Sequence, residues 1–120
     1  MDDVYKVASI LESQKDITVL ETKDYIKNPK PSGCRSYHMI VELPIYISDT
    51  CHRVCAEVQL RTLSMDFWAS LEHQIRYKHD IPSHKMIGAE LKRCADEVAS
   101  VEMNFLTIRD MINSIKNNQE

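Results

Sequence analysis

Apolar positions along this chain follow two rhythms, with helical spacing at both ends and strict alternation between them. Val4, Val7, Ala8 and Leu11 recur at helical spacing behind Asp2 and Asp3, which predicts a short amphipathic helix with an acidic cap. Residues 17–26 are rich in β-branched and aromatic side chains and read as a strand. Residues 36–48 and 54–62 read as two more strands, joined as a hairpin through a polar turn around Asp49–Arg53. Pro44 has no N–H to give a ladder, so an edge or a bulge is expected there. Thr62 or Ser64 opens the next helix, with Phe67, Trp68, Leu71 and Ile75 on one stripe. Beyond a break at Pro82, the residues Ile87, Leu91, Cys94, Val98, Val101, Phe105, Ile108 and Ile112 alternate by four and three, a heptad seam. A helix over 84–116 would be on the order of 48 Å long, more than the width of a small sheet. Part of it is expected to project or to pack on another copy of the chain, in preference to folding back along its own domain or pairing with the preceding helix.

The order is therefore helix, three strands, helix and long helix, an α+β chain without internal repeats. Residues 1–80 form the domain proper and 84–116 a packing or oligomerisation helix. Between the first two strands, Lys27-Asn28-Pro29-Lys30-Pro31-Ser32-Gly33 reads as a loop. Gly33 is one of only two glycines, which points to a backbone need: positive φ or close approach to a ligand. Alternation sorts the hairpin into faces. Glu57, Gln59 and Arg61 point one way and Ala56, Val58 and Leu60 the other. A turn near Asp49–Cys51 sets Glu42 opposite Gln59 and Ile40 opposite Arg61, with His38 continuing the polar surface. That face adjoins a loop carrying Lys27, Lys30 and Arg35. A carboxylate beside basic groups suits a magnesium-bound nucleotide, since magnesium takes one or two carboxylates plus phosphate oxygens. An ordinary hydrated sheet face fits the same pattern. The residues alone lead no further than a candidate phosphate-ligand site.

Composition narrows the partners. Net charge is −3 and the pI about 5.9, so there is no overall basic field and no strong nucleic-acid signal. Apolar runs are short and broken by charge, which excludes a membrane-spanning helix, and the acidic Met1-Asp2-Asp3-Val4 start is unlike a signal peptide. A cytoplasmic protein is expected. Cysteines at 34, 51, 55 and 94 lack framework spacing and read as reduced thiols. Cys51, His52 and Cys55 sit close together in the expected turn, but no second ligand pair follows downstream, so zinc is set aside.

Three motifs carry a resemblance. The run Asp24-Tyr25-Ile26, Pro29-Lys30-Pro31-Ser32-Gly33-Cys34-Arg35-Ser36-Tyr37-His38 resembles the DYI-x-x-PK-x-NGY-x-SLH segment of RelA/SpoT synthetases. Glu57-Val58-Gln59-Leu60-Arg61-Thr62 is similar to the EVQIRT strand of that family. Met65-Asp66, Trp68-Ala69, Glu72-His73 and Tyr77-Lys78 are similar to the helix after it. The likeness covers about residues 1–80, and the short chain with its heptad tail most resembles the small alarmone synthetases of the stringent response.

The resemblance implies part of a nucleotidyltransferase-like mixed sheet that transfers pyrophosphate from ATP to the 3′-hydroxyl of GTP or GDP, giving (p)ppGpp with Mg2+. It makes Glu57 the catalytic and metal-binding carboxylate. It sets Lys30, Ser32, Cys34 and His38 along the guanine nucleotide, with Gln59, Arg61 and His73 lining the pocket. Lys27 and Arg35 remain candidates for phosphate. Two departures stand out. Cys34 replaces the tyrosine that stacks on guanine in the family, and Ser32 replaces an asparagine. By strand parity, Tyr37 points away and does not substitute for that tyrosine. The resemblance also sets the ATP-holding half of the domain, with a second magnesium carboxylate, ahead of Met1. A truncated piece, inactive alone, is therefore expected. The alternative is a non-catalytic oligomerisation or regulatory module.

Overall fold

The computed structural model describes residues 2–77 and 84–118. Helix α1 (Asp2–Glu12) leads into strands β1 (Thr18–Asp24), β2 (Tyr37–Ile47) and β3 (Thr50–Leu60), then helices α2 (Leu63–Tyr77) and α3 (His84–Asn118). The three strands form one sheet in the order β1-β2-β3, and every described pairing is antiparallel. The parallel component of a mixed sheet lies with none of them. The expected break at Pro82 and Lys78 of the third motif fall outside the described residues.

The hairpin turn is tighter than the sequence suggests. Only Ser48 and Asp49 intervene, at φ 49° and 64°, and Ile47 pairs with Thr50. Positive φ at both central residues is the two-residue geometry that matches strand twist. Neither residue is glycine, so the usual signal is missing. The register moves four residues from expectation: Glu42 faces Cys55, Ile40 faces Glu57 and His38 faces Gln59. An even shift keeps every side chain on its predicted face. Cys51 and His52 consequently lie within β3, where neighbours point to opposite faces, and no group of metal ligands forms among the described residues.

Pro44 sits in the central strand, yet it obeys the edge rule. With Ile47–Thr50 as the hydrogen-bonded pair next to the turn, bonding toward β3 alternates, and the position of Pro44 turns its missing N–H away from β3. On that side β1 has ended, its last pairing being Thr18 with Glu42.

The buried sheet face carries Met39 and Val41, 0% and 3% exposed, packed with Ala8 of α1 and bordered by Leu11, Val58 and Leu60. Val4 and Ala8 bury, whereas Val7 stays 43% exposed at the rim of the predicted stripe. Thr62 caps α2, its hydroxyl accepting the Met65 N–H at 3.3 Å. Met65 and Trp68 turn inward, while Phe67 is 67% exposed. Helix α3 crosses α2, and Trp68 Nε1 donates to the Leu91 carbonyl at 2.7 Å. The buried line of α3 runs through Ala95 and half-buried Val98 and Glu102, so its heptad seam is only partly covered. Val101, Phe105, Ile108 and Ile112 remain 46–65% exposed.

Candidate functional site

The polar face of the hairpin is a connected chain of side chains. Arg61 donates through an NH2 nitrogen to Gln59 Oε1 at 2.6 Å. Gln59 Nε2 donates to Glu57 Oε1 at 3.3 Å, and His38 Nδ1 lies 3.1 Å from the same oxygen. Strand geometry brings these groups together. Glu57, Gln59 and Arg61 share one face at period two, and pairing sets Gln59 opposite His38. Glu57 stays 47% exposed, and both contacts fall on one oxygen, leaving Oε2 for a ligand.

His38 is nearly buried, and burial holds its pKa below the ordinary histidine value. Glu57 pulls the other way, while Lys30 and Arg61 add to the lowering. Its Nδ1 lies against Glu57, and its buried Nε2 has no hydrogen-bond partner within the chain among the described residues. Arg61 presents a similar unpaired Nε while a terminal nitrogen reaches Asp66 at 3.4 Å.

A cavity of ≈ 380 Å³ opens beside this face. The sheet supplies His38, Gln59 and Arg61, and the loop supplies Lys30 and Cys34. The opposite wall is one face of α2: Ala69, Glu72, His73, Arg76 and Tyr77 fall at helical spacing. Lys30, Cys34, His38, Gln59, Arg61 and His73, named from the sequence, therefore meet around one space. Glu57 adjoins it through His38 and Gln59.

Three others lie elsewhere. Lys27 extends over the Tyr5 ring at 5.4 Å, away from the cavity. Ser32 borders a separate hollow against α3, its hydroxyl accepting the Cys34 N–H at 3.4 Å. Arg35 is 7% exposed and pairs with Glu102 of α3 at 3.0 Å, so its charge is spent inside the fold. No local signal reveals that pairing, because its partner is 67 residues away. Sequence reading also missed Arg76 and Tyr77 as wall residues, although their spacing from His73 on one helix was available.

The loop is built from its anchors upward. Asp24 Oδ1 accepts the N–H groups of Ile26 and Lys27, each at 2.9 Å, and Oδ2 accepts the Tyr5 hydroxyl at 2.8 Å. Burial opposes ionisation of Asp24, yet these hydrogen bonds prevail and hold its carboxyl below the usual value. Gly33 donates to the Lys30 carbonyl at 2.8 Å with φ 97°. A Cβ there would lie 3.1 Å from Ala95 Cβ and 3.3 Å from Trp68. The anticipated positive φ is found, and the close approach is to α3 and Trp68 in place of a ligand. Cys34 is 8% exposed against Trp68 and Ala95, and burial foremost, then Glu72, pushes its thiol pKa up. It stays a neutral thiol.

Residues 1–82 match the family profile described as the region found in RelA / SpoT proteins. GTP pyrophosphokinase YwaC of Bacillus subtilis (strain 168) is 41% identical over 111 residues, covering 91% of this chain and 52% of the relative. The crystal structure of small alarmone synthetase 2 from Bacillus subtilis superposes with a TM-score of 0.85 at 41% identity, over 92% of this chain and 61% of that one. Small alarmone synthetase 1 from Bacillus subtilis, bound to its product pppGpp, gives 0.84 at 35% identity, over 94% and 57%. The chain spans about half the length of the curated relatives it matches.

Proposed function

The chain belongs to the RelA/SpoT family, and on that premise we propose that it forms the guanine-nucleotide side of a (p)ppGpp synthetase. The reaction is transfer of pyrophosphate from ATP to the 3′-hydroxyl of GTP or GDP, releasing AMP. One observation carries the reading: Glu57, held by His38 and Gln59, stands beside a cavity ringed by Lys30, Arg61 and Arg76. Lys30 and the arginines neutralise the nucleotide's phosphates, and guanidinium groups offer paired donors to phosphate oxygens. The half-exposed carboxylate of Glu57 orients the attacking hydroxyl and draws its proton.

Magnesium fits this arrangement as a guest of one carboxylate, because it retains waters and takes its other ligands from phosphate. Glu57 Oε2 would hold it, and the ion would supply charge neutralisation on the transferring group.

The test is GDP binding by calorimetry together with nucleotide chromatography after incubation with ATP and magnesium. Arg61→Ala is expected to weaken GDP binding about tenfold, the low end for the loss of one charge-assisted hydrogen bond. Glu57→Gln is expected to leave GDP binding within about threefold while removing any (p)ppGpp formed. A folded chain that binds neither GDP nor GTP overturns the proposal.

A second reading is favoured by the exposed apolar seam of α3. Val101, Phe105, Ile108 and Ile112 continue the heptad register past the part that meets α2. In this reading the helix joins copies of the chain into a homo-oligomer, whether or not each copy turns over substrate.

A further inference from the structure

Cys34 stands where a flat aromatic surface is expected beside the base, and the structure confirms that position 34 offers none. Its thiol is buried against Trp68 and Ala95. The other loop and strand tyrosines do not make up the loss. Tyr37 meets Tyr5 at 5.7 Å on the α1 side of the sheet. Tyr25 lies edge-on to His38 at 5.1 Å with Lys30 over its ring at 4.9 Å, so its near face is taken.

A stacked aromatic pair stands on the opposite wall. His73 and Tyr77 lie one helical turn apart on α2, ring centroids 4.3 Å apart and planes inclined by 30°. Both line the cavity, and Tyr77 is 64% exposed. His73 backs one face of the tyrosine and leaves the other for a further ring. Ala69, two turns earlier on the same helix face, keeps that wall open. The cations Lys30, Arg61 and Arg76 around the same space suit the phosphates, while the pair suits a planar heterocycle. An exposed ring beside a phosphate-binding wall has the anatomy of a base platform.

We infer that Tyr77, backed by His73, is the base-stacking residue of this pocket. The inference rests on the guanine-nucleotide reading above and moves base recognition from the loop to α2. It makes the purine the group held against the helix, with the loop reduced to holding phosphate and ribose.

The experiment measures GDP binding to the whole chain by calorimetry, with circular dichroism as the check on folding. Tyr77→Leu is expected to weaken GDP about 5- to 150-fold, the range of one base–aromatic stack, and Tyr77→Phe to stay within about threefold of the parent. Tyr77→Trp adds an indole at the platform, and its fluorescence is expected to be quenched by GDP with the calorimetric midpoint. That signature does not arise if position 77 only supports the helix. Undiminished binding by folded Tyr77→Leu, or an unquenched Tyr77→Trp that binds GDP, overturns the inference and leaves the functional reading standing. Failure of the unaltered chain to bind GDP removes both.

Discussion

His38 is the residue on which sheet, loop and cavity converge, and its protonation follows from its surroundings. Burial, with Lys30 and Arg61 nearby, holds its pKa below 6.5, more than Glu57 restores. In the unfolded chain the same ring titrates near 6.5. Because the folded value is the lower one, its contribution to stability is complete above about pH 6.5. It is lost as pH falls through the folded value, where the unfolded chain binds the extra proton. Denaturant midpoints are therefore expected to drop between pH 7.5 and pH 5.5, and His38→Gln is expected to flatten that slope. An equal slope in both proteins rejects the assignment. Asp24 acts with the same sign at lower pH, its carboxyl held down by the Lys27, Tyr5 and Ile26 donors. Both groups make the loop between β1 and β2 sensitive to acid.

Among the elements, α3 has the least local and most demanding contact. Glu102 accepts from Arg35 through one oxygen and from the Thr62 hydroxyl through the other, both at 3.0 Å, with little solvent at either charge. One carboxylate thus ties the nucleotide loop to the cap of α2. Glu102→Ala strands a buried guanidinium and is expected to cost about 3–5 kcal/mol, measured by urea unfolding. The pair Arg35→Met with Glu102→Leu is expected to recover most of that loss, since an apolar replacement needs no partner. If the single variant costs as little as a surface pair, the contact is not buried in solution. This tie also marks the limit of what the sequence discloses. Alternation predicted the faces of β2 and β3, and the helical spacing of Leu91, Cys94 and Val98 predicted α3. The hairpin register was misjudged because Ser48 and Asp49 take positive φ without glycine. Arg35 read as a phosphate ligand because loop arginines beside a lysine carry no mark of a partner on a distant helix. Glu102 was invisible for the converse reason, being a polar residue off the heptad seam that faces inward. The motifs brought out Lys30 and His38, which the fold sets around one cavity, whereas Tyr77 of the same cavity stood in the third motif without a reading of its own.

The whole molecule is spread out for its mass. Its radius of gyration is 18.8 Å where a compact chain of this length has about 14 Å. Its accessible surface is 8834 Å², against roughly 6,700 Å² for a compact protein of 13.9 kDa. Helix α3, 35 residues and about 52 Å long, accounts for much of this, with Phe105, Ile108 and Ile112 on its open seam. An apolar groove of ≈ 650 Å³ between α2 and α3, lined by Leu63, Phe67, Leu71 and Leu91, continues the seam. Sedimentation of the chain is expected to show a concentration-dependent assembly that Phe105→Ser with Ile112→Ser dissolves. A monomer at every concentration removes the oligomer reading. The tight turn at Ser48 and Asp49 has a kinetic consequence. Hairpins of this kind close in about 1–10 μs, and β1 joins β2 through residues 25–36, so the sheet assembles from segments adjacent in the sequence. The Arg35–Glu102 contact spans 67 residues and is expected to form after it, because longer loops cost more to close. Removing Glu102 should then steepen escape from the native state while leaving the rate of entry almost untouched, so the time the loop stays assembled is set by a helix that arrives last.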